Sequence, residues 1–383
     1  MNPILNETLL QYLKESEAET LALIEELAAI PAPSGKEARR ADFCLQWLRE
    51  AGAEQAYVDE ALNVLCPVEG KTEDWILFSA HTDVVFPDEE PLPVRREGDY
   101  LYAPGVGDDT ACLAMLLIVL RYVIRKGLRG RCGVLFAANS CEEGLGNLKG
   151  MREIVRAYGE KLRRAYTFDG QYDAVVNRCV GSYRYEVTVE TEGGHSYNAF
   201  GNRNAILSAA ELLLSLRDCE ISAKGKGRTT FNVGTIEGGT SVNTIAQRAV
   251  FLYEFRSDVR EDLEAMRRFF ESRIEEAREK GLGEITVREV GVRPCGGDVD
   301  EAVLAEMTAN AVAISERHSG LACAVRSGST DCNIPMSVGI PAVCVGSYLG
   351  DGAHTREERM RIDSIPVGLR ITAETVLQYF EEA

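Results

Sequence analysis

Five short segments of the chain carry side chains that could do chemistry. They are SAHTD at 79–83, GVGDDT at 105–110, SCEEG at 140–144, TFDG at 167–170 and GAHTREE at 352–358. Together they offer His81, Asp83, Asp108, Asp109, Glu142, Glu143, Asp169 and His354. The chain has 4 histidines, at 81, 195, 318 and 354, and two of them fall in these segments. If the segments converge, so many carboxylates cannot all stay ionised without cations. Either several pKa values rise steeply or divalent ions are present. Two imidazoles with oxygen donors suit Zn²⁺ or a similar ion, and spare carboxylates suit a pair of ions bridged by one of them. Taken singly, each segment has a plainer reading: a satisfied histidine at a strand end, a helix N-cap, a solvated turn. Jointly they point to a metal site.

The doublet Glu142–Glu143 poses the sharpest question, because no Lys or Arg lies within four residues of either. Adjacent residues in extended chain point different ways, so the two carboxylates can serve different partners.

Positioning such residues requires strands that end at them. Apolar runs at WILFSA (75–80), CGVLFAA (132–138) and AYTF (165–168) alternate with helical stretches, including TACLAMLLIVLRYVIRKG and LKGMREIVRAYGEKL. That alternation predicts an α/β layer with a mainly parallel, fully buried sheet. In open sheets of this kind function collects outside the carboxyl ends of the strands, where four of the five segments would lie. Upstream, Leu9 to Ala29 has helical periodicity, and Ser34 with Glu37 forms a capping-box pattern opening a helix that ends near Gly52.

Near Val180 the texture changes. YRYEVTVET, a helix around Asn204 to Leu216, RTTFNVGTIEGG, AVFLYEFRSD, a charged helix from Glu261 to Lys280 and GEITVREV follow one another. This β-α-β-β-α-β order is a two-layer α+β unit of the ferredoxin-like kind. From about Pro294 the first texture resumes, with a helix to His318, the strand PAVCVG and a final helix. The expected organisation is a catalytic domain at 1–179 and 291–383 interrupted by an inserted domain at 180–290. A length of 383 residues suits two domains.

Composition excludes some partners. With 42 basic against 60 acidic residues the net charge is −18, and no Lys/Arg-rich block occurs, which argues against nucleic acid and anionic membrane. No secretory signal is visible, and the longest apolar run, Ala111 to Leu120, is too short to span a bilayer. The 11 cysteines lack a CxxC pair or regular spacing and mostly sit in apolar runs, as reduced thiols of a cytoplasmic protein do; Cys141, beside the doublet, reads as a small filler.

In order and placement, these loops resemble the co-catalytic metallopeptidase superfamily of peptidase T, carboxypeptidase G, aminoacylase and the acetylornithine and succinyl-diaminopimelate deacylases. The resemblance runs from IPAPSGKE through GNRNAI and GGTSVNTIA to GSTDCNIP and GIPAVCVG. It implies a zinc-exopeptidase-like catalytic domain with a mixed, mainly parallel sheet, plus an inserted lid through which the chain forms a homodimer. It further implies two divalent ions, zinc first, with cobalt or manganese as alternatives. His81, Asp108 and Asp169 would hold one, and Asp108, Glu143 and His354 the other, with Asp108 bridging. Asp83 would orient His81, the Asp108–Asp109 peptide would be cis, and Glu142 would be the general base. His195, in TEGGHSYNAFGNRNAI, would stabilise the oxyanion, often from the partner subunit; its plainer reading is an exposed residue of a Gly-rich turn. By the same resemblance Asn243 and Arg256 match lid positions that hold a substrate carboxylate, although Arg256 is nearly as readable as a strand-end salt bridge. His318 reads as structural or solvated.

One departure stands out. Many relatives follow the paired aspartates with Lys-Gly, whereas here Thr110 and Ala111 follow. In the superfamily the third carboxylate tends to be Asp in aminopeptidases and dipeptidases and Glu in deacylases, so Asp169 leans towards cleavage of short peptides. The leading expectation is a cytoplasmic two-metal exopeptidase acting on di- or tripeptides. The alternatives are an N-acyl-amino-acid amidohydrolase and, from another class, an inactive peptide-binding or scaffold relative. A glycosidase is weak, since paired acids flanking a sugar bond do not need His81 and His354.

Overall fold

The computed structural model describes residues 5–217, 219, 220 and 227–381. The chain divides into two compact units, Met1–Arg178 with Gly297–Ala383, and Cys179–Gly296.

The first unit is built on an eight-stranded sheet. Its order is Tyr57–Val58, Val64–Val68, Gly133–Asn139, Trp75–His81, Leu162–Phe168, Ala342–Val345, Ala174–Cys179 and Ala324–Gly328. The central pairs are parallel: Trp75–His81 lies between Gly133–Asn139 and Leu162–Phe168, and Ala342–Val345 runs beside the latter. Antiparallel strands flank this centre, so the sheet is mixed. Every residue of Trp75–His81 and of Gly133–Asn139 is buried, which is why these strands read as continuous apolar runs rather than alternating ones. The helix Cys112–Lys126 is buried from Cys112 to Val123. Each Leu, Ile or Val so buried contributes roughly 1.5–3 kcal/mol relative to exposure. Gly127, in the left-handed conformation, ends the helix.

One local expectation is refined and one is corrected. The periodicity over 9–29 belongs to two helices, Glu7–Glu15 and Glu17–Ala29, that meet at Ser16. Ser16 keeps right-handed backbone angles (φ −86°, ψ −6°), so the apolar stripe hardly rotates and the pattern runs through it. The Ser34–Glu37 capping box is absent: the next helix is Ala38–Glu50, with no side-chain cap. Both residues are drawn to the loops at the strand ends instead, Ser34 to Asp83 and Glu37 to Cys141.

The second unit is a four-stranded antiparallel sheet in the order Thr229–Gly238, Arg248–Ser257, Gly181–Glu190, Glu284–Arg293. With the helices Ala205–Arg217 and Arg260–Glu279 this is the ferredoxin-like arrangement. Burial alternates along Arg248–Ser257, as expected of a sheet covered on one face. Its core includes Tyr185 stacked on Phe270, with centroids 4.4 Å apart. A short ribbon pairs Gly194–His195 with Thr244–Ile245.

Candidate metal centre and active site

The parallel centre of the sheet brings the carboxyl ends of its strands side by side. His81 is the last residue of its strand and pairs with Asn139, the last of the neighbouring one. Asp169 follows the strand Leu162–Phe168 directly. The Asp108–Asp109 peptide is cis. It lies in the turn that precedes the helix Cys112–Lys126, where Gly105 has φ 71° and a Cβ on Gly107 would meet the Tyr348 ring at 2.3 Å. Glycine is therefore required at both positions of this turn.

These loops bring the side chains together. Ligand atoms of His81, Asp108 and Asp169 lie within 4.8 Å of one another, and so do those of Asp108, Glu143 and His354. Asp108 belongs to both groups: its Oδ1 is 3.1 Å from His81 Nε2 and its Oδ2 is 3.2 Å from His354 Nε2. Glu143 Oε1 lies 3.0 Å from the same His354 nitrogen. A third group is made by His81, Glu142 and Glu143.

Asp83 organises the doublet. Its Oδ1 accepts the Glu142 amide N–H at 2.8 Å, and its Oδ2 accepts the Glu143 N–H at 2.9 Å and the Ser34 hydroxyl at 2.6 Å. The His81 ring Nδ1 faces the Asp83 carbonyl at 3.1 Å and its carboxylate at 3.4 Å. One buried carboxylate thus fixes both the imidazole and the backbone that presents Glu142 and Glu143.

The electrostatics are those of a site built for cations. Burial pushes the Asp169 carboxyl up to about 7, and the neighbouring Asp108 charge adds to this. Burial likewise drives Asp109 well above the ordinary carboxylate range. Burial opposes ionisation of Asp108, but hydrogen bonds from His354 and His81 overcome it and hold the group low. The bond to Asp108, then the one to Glu143, raises His354 to about 10. Burial disfavours the His81 imidazolium, yet its bonds to Asp108 and Asp83 carry it well above its usual value. Among the described residues no Lys or Arg pairs with Asp108, Glu143 or Asp169. Among the described residues, the ion pairs of Asp108 and Glu143 are with the His81 and His354 imidazoles. This donor set fits divalent ions.

Several residues of this frame were not legible as functional. Arg40 is fully buried and donates to the carbonyls of Ile30 and Thr82 and to the Thr110 hydroxyl. It therefore helps to hold Thr110, the first of the two residues that stand where the resemblance leads one to expect Lys-Gly. Glu37 accepts the N–H groups of Gly35 and Cys141. Asn139 donates to Asp331, within the GSTDCNIP segment, at 2.6 Å. Glu358 accepts backbone N–H groups from the turn that carries Asp108. A groove of about 560 Å³ runs beside Glu143, lined by Val84, Phe86, Pro87, Leu145 and Lys149 among others.

The remaining site candidates belong to the second unit. His195 Nδ1 accepts the N–H groups of Tyr197 at 3.2 Å and Asn198 at 3.4 Å. Asn243 is joined to this ribbon through its carbonyl, which accepts the Ser196 N–H at 3.0 Å. Arg256 forks onto Glu254 at 2.9 and 3.2 Å.

A model of Peptidase family M20/M25/M40 matches residues 77–378. The chain belongs to this family. As a member of M20/M25/M40 it is a metal-dependent hydrolase, and the superfamily expected from the loops is the one found. Uncharacterized protein YqjE of Bacillus subtilis is 27% identical over 333 residues, covering 84% of each chain. The succinyl-diaminopimelate desuccinylase of Corynebacterium glutamicum is 24% identical over 353 residues, covering 90% of this chain and 92% of that one. Among solved structures, aminopeptidase PepT of Bacillus cereus superposes with a TM-score of 0.72 at 20% identity, covering 95% of this chain and 98% of the other. The shared fold is that of M20 peptidases. No helix among the described residues is long and apolar enough to cross a membrane.

Proposed function

We propose that the chain is a two-metal exopeptidase that cleaves an amide bond of short peptides, with Glu142 as general base. The observation that carries this reading is the division of the doublet. Glu143 joins Asp108 and His354 in one ligand group, whereas Glu142 belongs to neither group that contains Asp108. His81, Asp108 and Asp169 are assigned to one ion, and Asp108, Glu143 and His354 to the other. Bound there, two divalent ions, zinc before cobalt or manganese, would polarise the scissile carbonyl and ease deprotonation of an attacking water. Glu142 takes the proton of that water as its oxygen attacks the carbonyl carbon, then passes it to the leaving amine as the C–N bond breaks.

His195 is assigned to the developing oxyanion. Its Nδ1 accepts two backbone N–H groups, which leaves the ring proton on Nε2 as a donor. Asn243, on the same ribbon, and Arg256 are assigned to a substrate carboxylate; Arg256 must exchange Glu254 for it. Asp169 in place of Glu and the apolar groove beside Glu143 favour peptides with an apolar residue next to the scissile bond. The eleven free, largely buried thiols suit a reducing cytoplasm.

The second unit suits homodimer formation. Among the described residues Thr229–Gly238 lies at an edge of its sheet, paired on one side only, and it exposes Val233 and Ile236. The helix Ala205–Arg217 exposes Leu207 and Leu214. An unprotected edge of this kind invites pairing with a second copy.

The test is a substrate panel. Chelated protein is supplied in turn with zinc, cobalt or manganese and assayed on di- and tripeptides and on N-acetyl and N-succinyl amino acids. Metal-dependent release of an amino acid from peptides is expected, fastest with an apolar residue beside the cleaved bond. Turnover of acyl amino acids alone would assign the chain to the deacylases, as the likeness to the desuccinylase suggests. Neither bound metal nor turnover would mark a binding or scaffold relative.

A further inference from the structure

Glu358 is 2% exposed, and among the described residues no Lys or Arg pairs with it. A buried carboxylate without a cation must be held by hydrogen-bond donors. Its donors are three backbone N–H groups of one turn: Gly105 on Oε2 at 2.9 Å, Gly107 on Oε1 at 2.8 Å and Asp108 on Oε1 at 2.9 Å. Successive N–H groups converging on one anion form a nest, here filled by a side chain of the protein itself.

The same residue stands four places after His354. A turn closed by Thr355 Oγ1 and N–H on the Gly352 carbonyl, and by the Glu358 N–H on the Thr355 carbonyl, connects the two. Beyond it, Arg359–Arg361 pairs with Tyr100–Tyr102, and the Ala103 N–H bonds the Glu358 carbonyl. One hydrogen-bonded frame therefore spans 100–108 and 350–361, with Asp108 at one end and His354 at the other.

We propose that Glu358 is a positioning residue that locks the Asp108 turn to the His354 loop, so that both ligands are presented to a metal ion as a single rigid body. It rests on the assignment of Asp108, Glu143 and His354 as ligands of one ion. Only a carboxylate serves. The amide of Gln offers one acceptor oxygen and would aim its own N–H at the remaining backbone donor, while Asp keeps the charge and both acceptors on a shorter arm.

The test uses chelated full-length protein titrated with zinc in a calorimeter, with hydrogen exchange read on peptides covering 100–110 and 350–361. Glu358→Gln should bind zinc ~10–100-fold more weakly and lose amide protection in both segments together. Glu358→Asp should recover part of the affinity. Wild-type zinc affinity and stoichiometry in Glu358→Gln, even with a lowered Tm, would overturn the proposal, because Glu358 would then only support the fold. Should Glu358→Gln fail to fold, the wild-type protein decides: both segments should gain protection at the same equivalent of zinc, and independent responses overturn the coupling. If the wild-type protein binds no divalent metal, the ligand assignment itself falls, and the proposal with it.

Discussion

At the scale of single residues, the proposal gives the two identical side chains of Glu142 and Glu143 different tasks, and one carboxylate sets the backbone on which that division rests. Asp83 takes both of their backbone N–H groups, one on each carboxylate oxygen, and so fixes the extended backbone between them. From that backbone Glu143 reaches His354, while Glu142 stays with His81 and Glu143. Because Glu142 lies within ligand distance of those two, its role as base is open to direct test. Glu142→Ala should keep the metal content of the wild-type protein by elemental analysis while kcat falls by ~10²–10⁴-fold, the usual contribution of a general base. Loss of metal in step with activity would make Glu142 a ligand instead. Neither outcome could be read from the doublet alone, since the residue that separates the two roles, Asp83, lies some sixty positions upstream.

At the scale of elements, the two long helices of the C-terminal part are joined by one buried carboxylate. Glu374, on Ile365–Leu377, accepts from Arg317 and lies 2.5 Å from His318 Nε2, both at the end of Glu301–Ser319. Of the two readings given for His318, structural or solvated, this contact favours the structural one. Burial opposes ionisation of Glu374, but the bonds from His318 and Arg317 prevail and lower its pKa below the ordinary value of 4.5. A carboxylate depressed on folding contributes stability that is present above its unfolded pKa and is lost as pH falls through the folded one. Glu374→Gln should therefore cost about 1–3 kcal/mol near neutrality and flatten the fall of Tm below pH 4.5. An unchanged acid limb in a melting series would show that the pair adds nothing. The same scale shows what the sequence could convey. The strands Trp75–His81 and Gly133–Asn139 were legible because burial on both faces makes them unbroken apolar runs. Ala174–Cys179 and Ala324–Gly328 were not, since half-buried or exposed flanking strands carry no such run, and Val64–Val68, though apolar, is short and interrupted by Pro67. Ser34 and Glu37 matched a cap by spacing, yet Asp83 and Cys141 are their partners, and a local pattern cannot weigh distant competitors. Glu358 left no local signal for the same reason: its three donors lie some 250 positions away.

At the scale of the whole molecule, the role proposed for His195 of the second unit can be traced to one chain or the other. Nδ1 of His195 accepts two backbone N–H groups, which leaves Nε2 to donate, and the proposal gives that donor to an oxyanion in its own chain or in the partner's. Two inactive variants can decide which chain this is. Glu142→Ala lacks the base but keeps His195, and His195→Ala keeps the base but lacks the donor. If His195 completes the site of the partner subunit, a mixed dimer contains one site with Glu142 from one chain and His195 from the other. Random exchange of equal amounts makes half the dimers mixed, so about a quarter of wild-type activity should return. If His195 acts within its own chain, every site in the mixture lacks one of the two groups and no activity returns. The experiment needs dissociation and reassociation to be verified, by mass difference between tagged copies, so that absence of recovery is a result about geometry. His195→Ala alone should lower kcat while metal content stays at the wild-type level, because an oxyanion donor acts on the transition state and not on the ions.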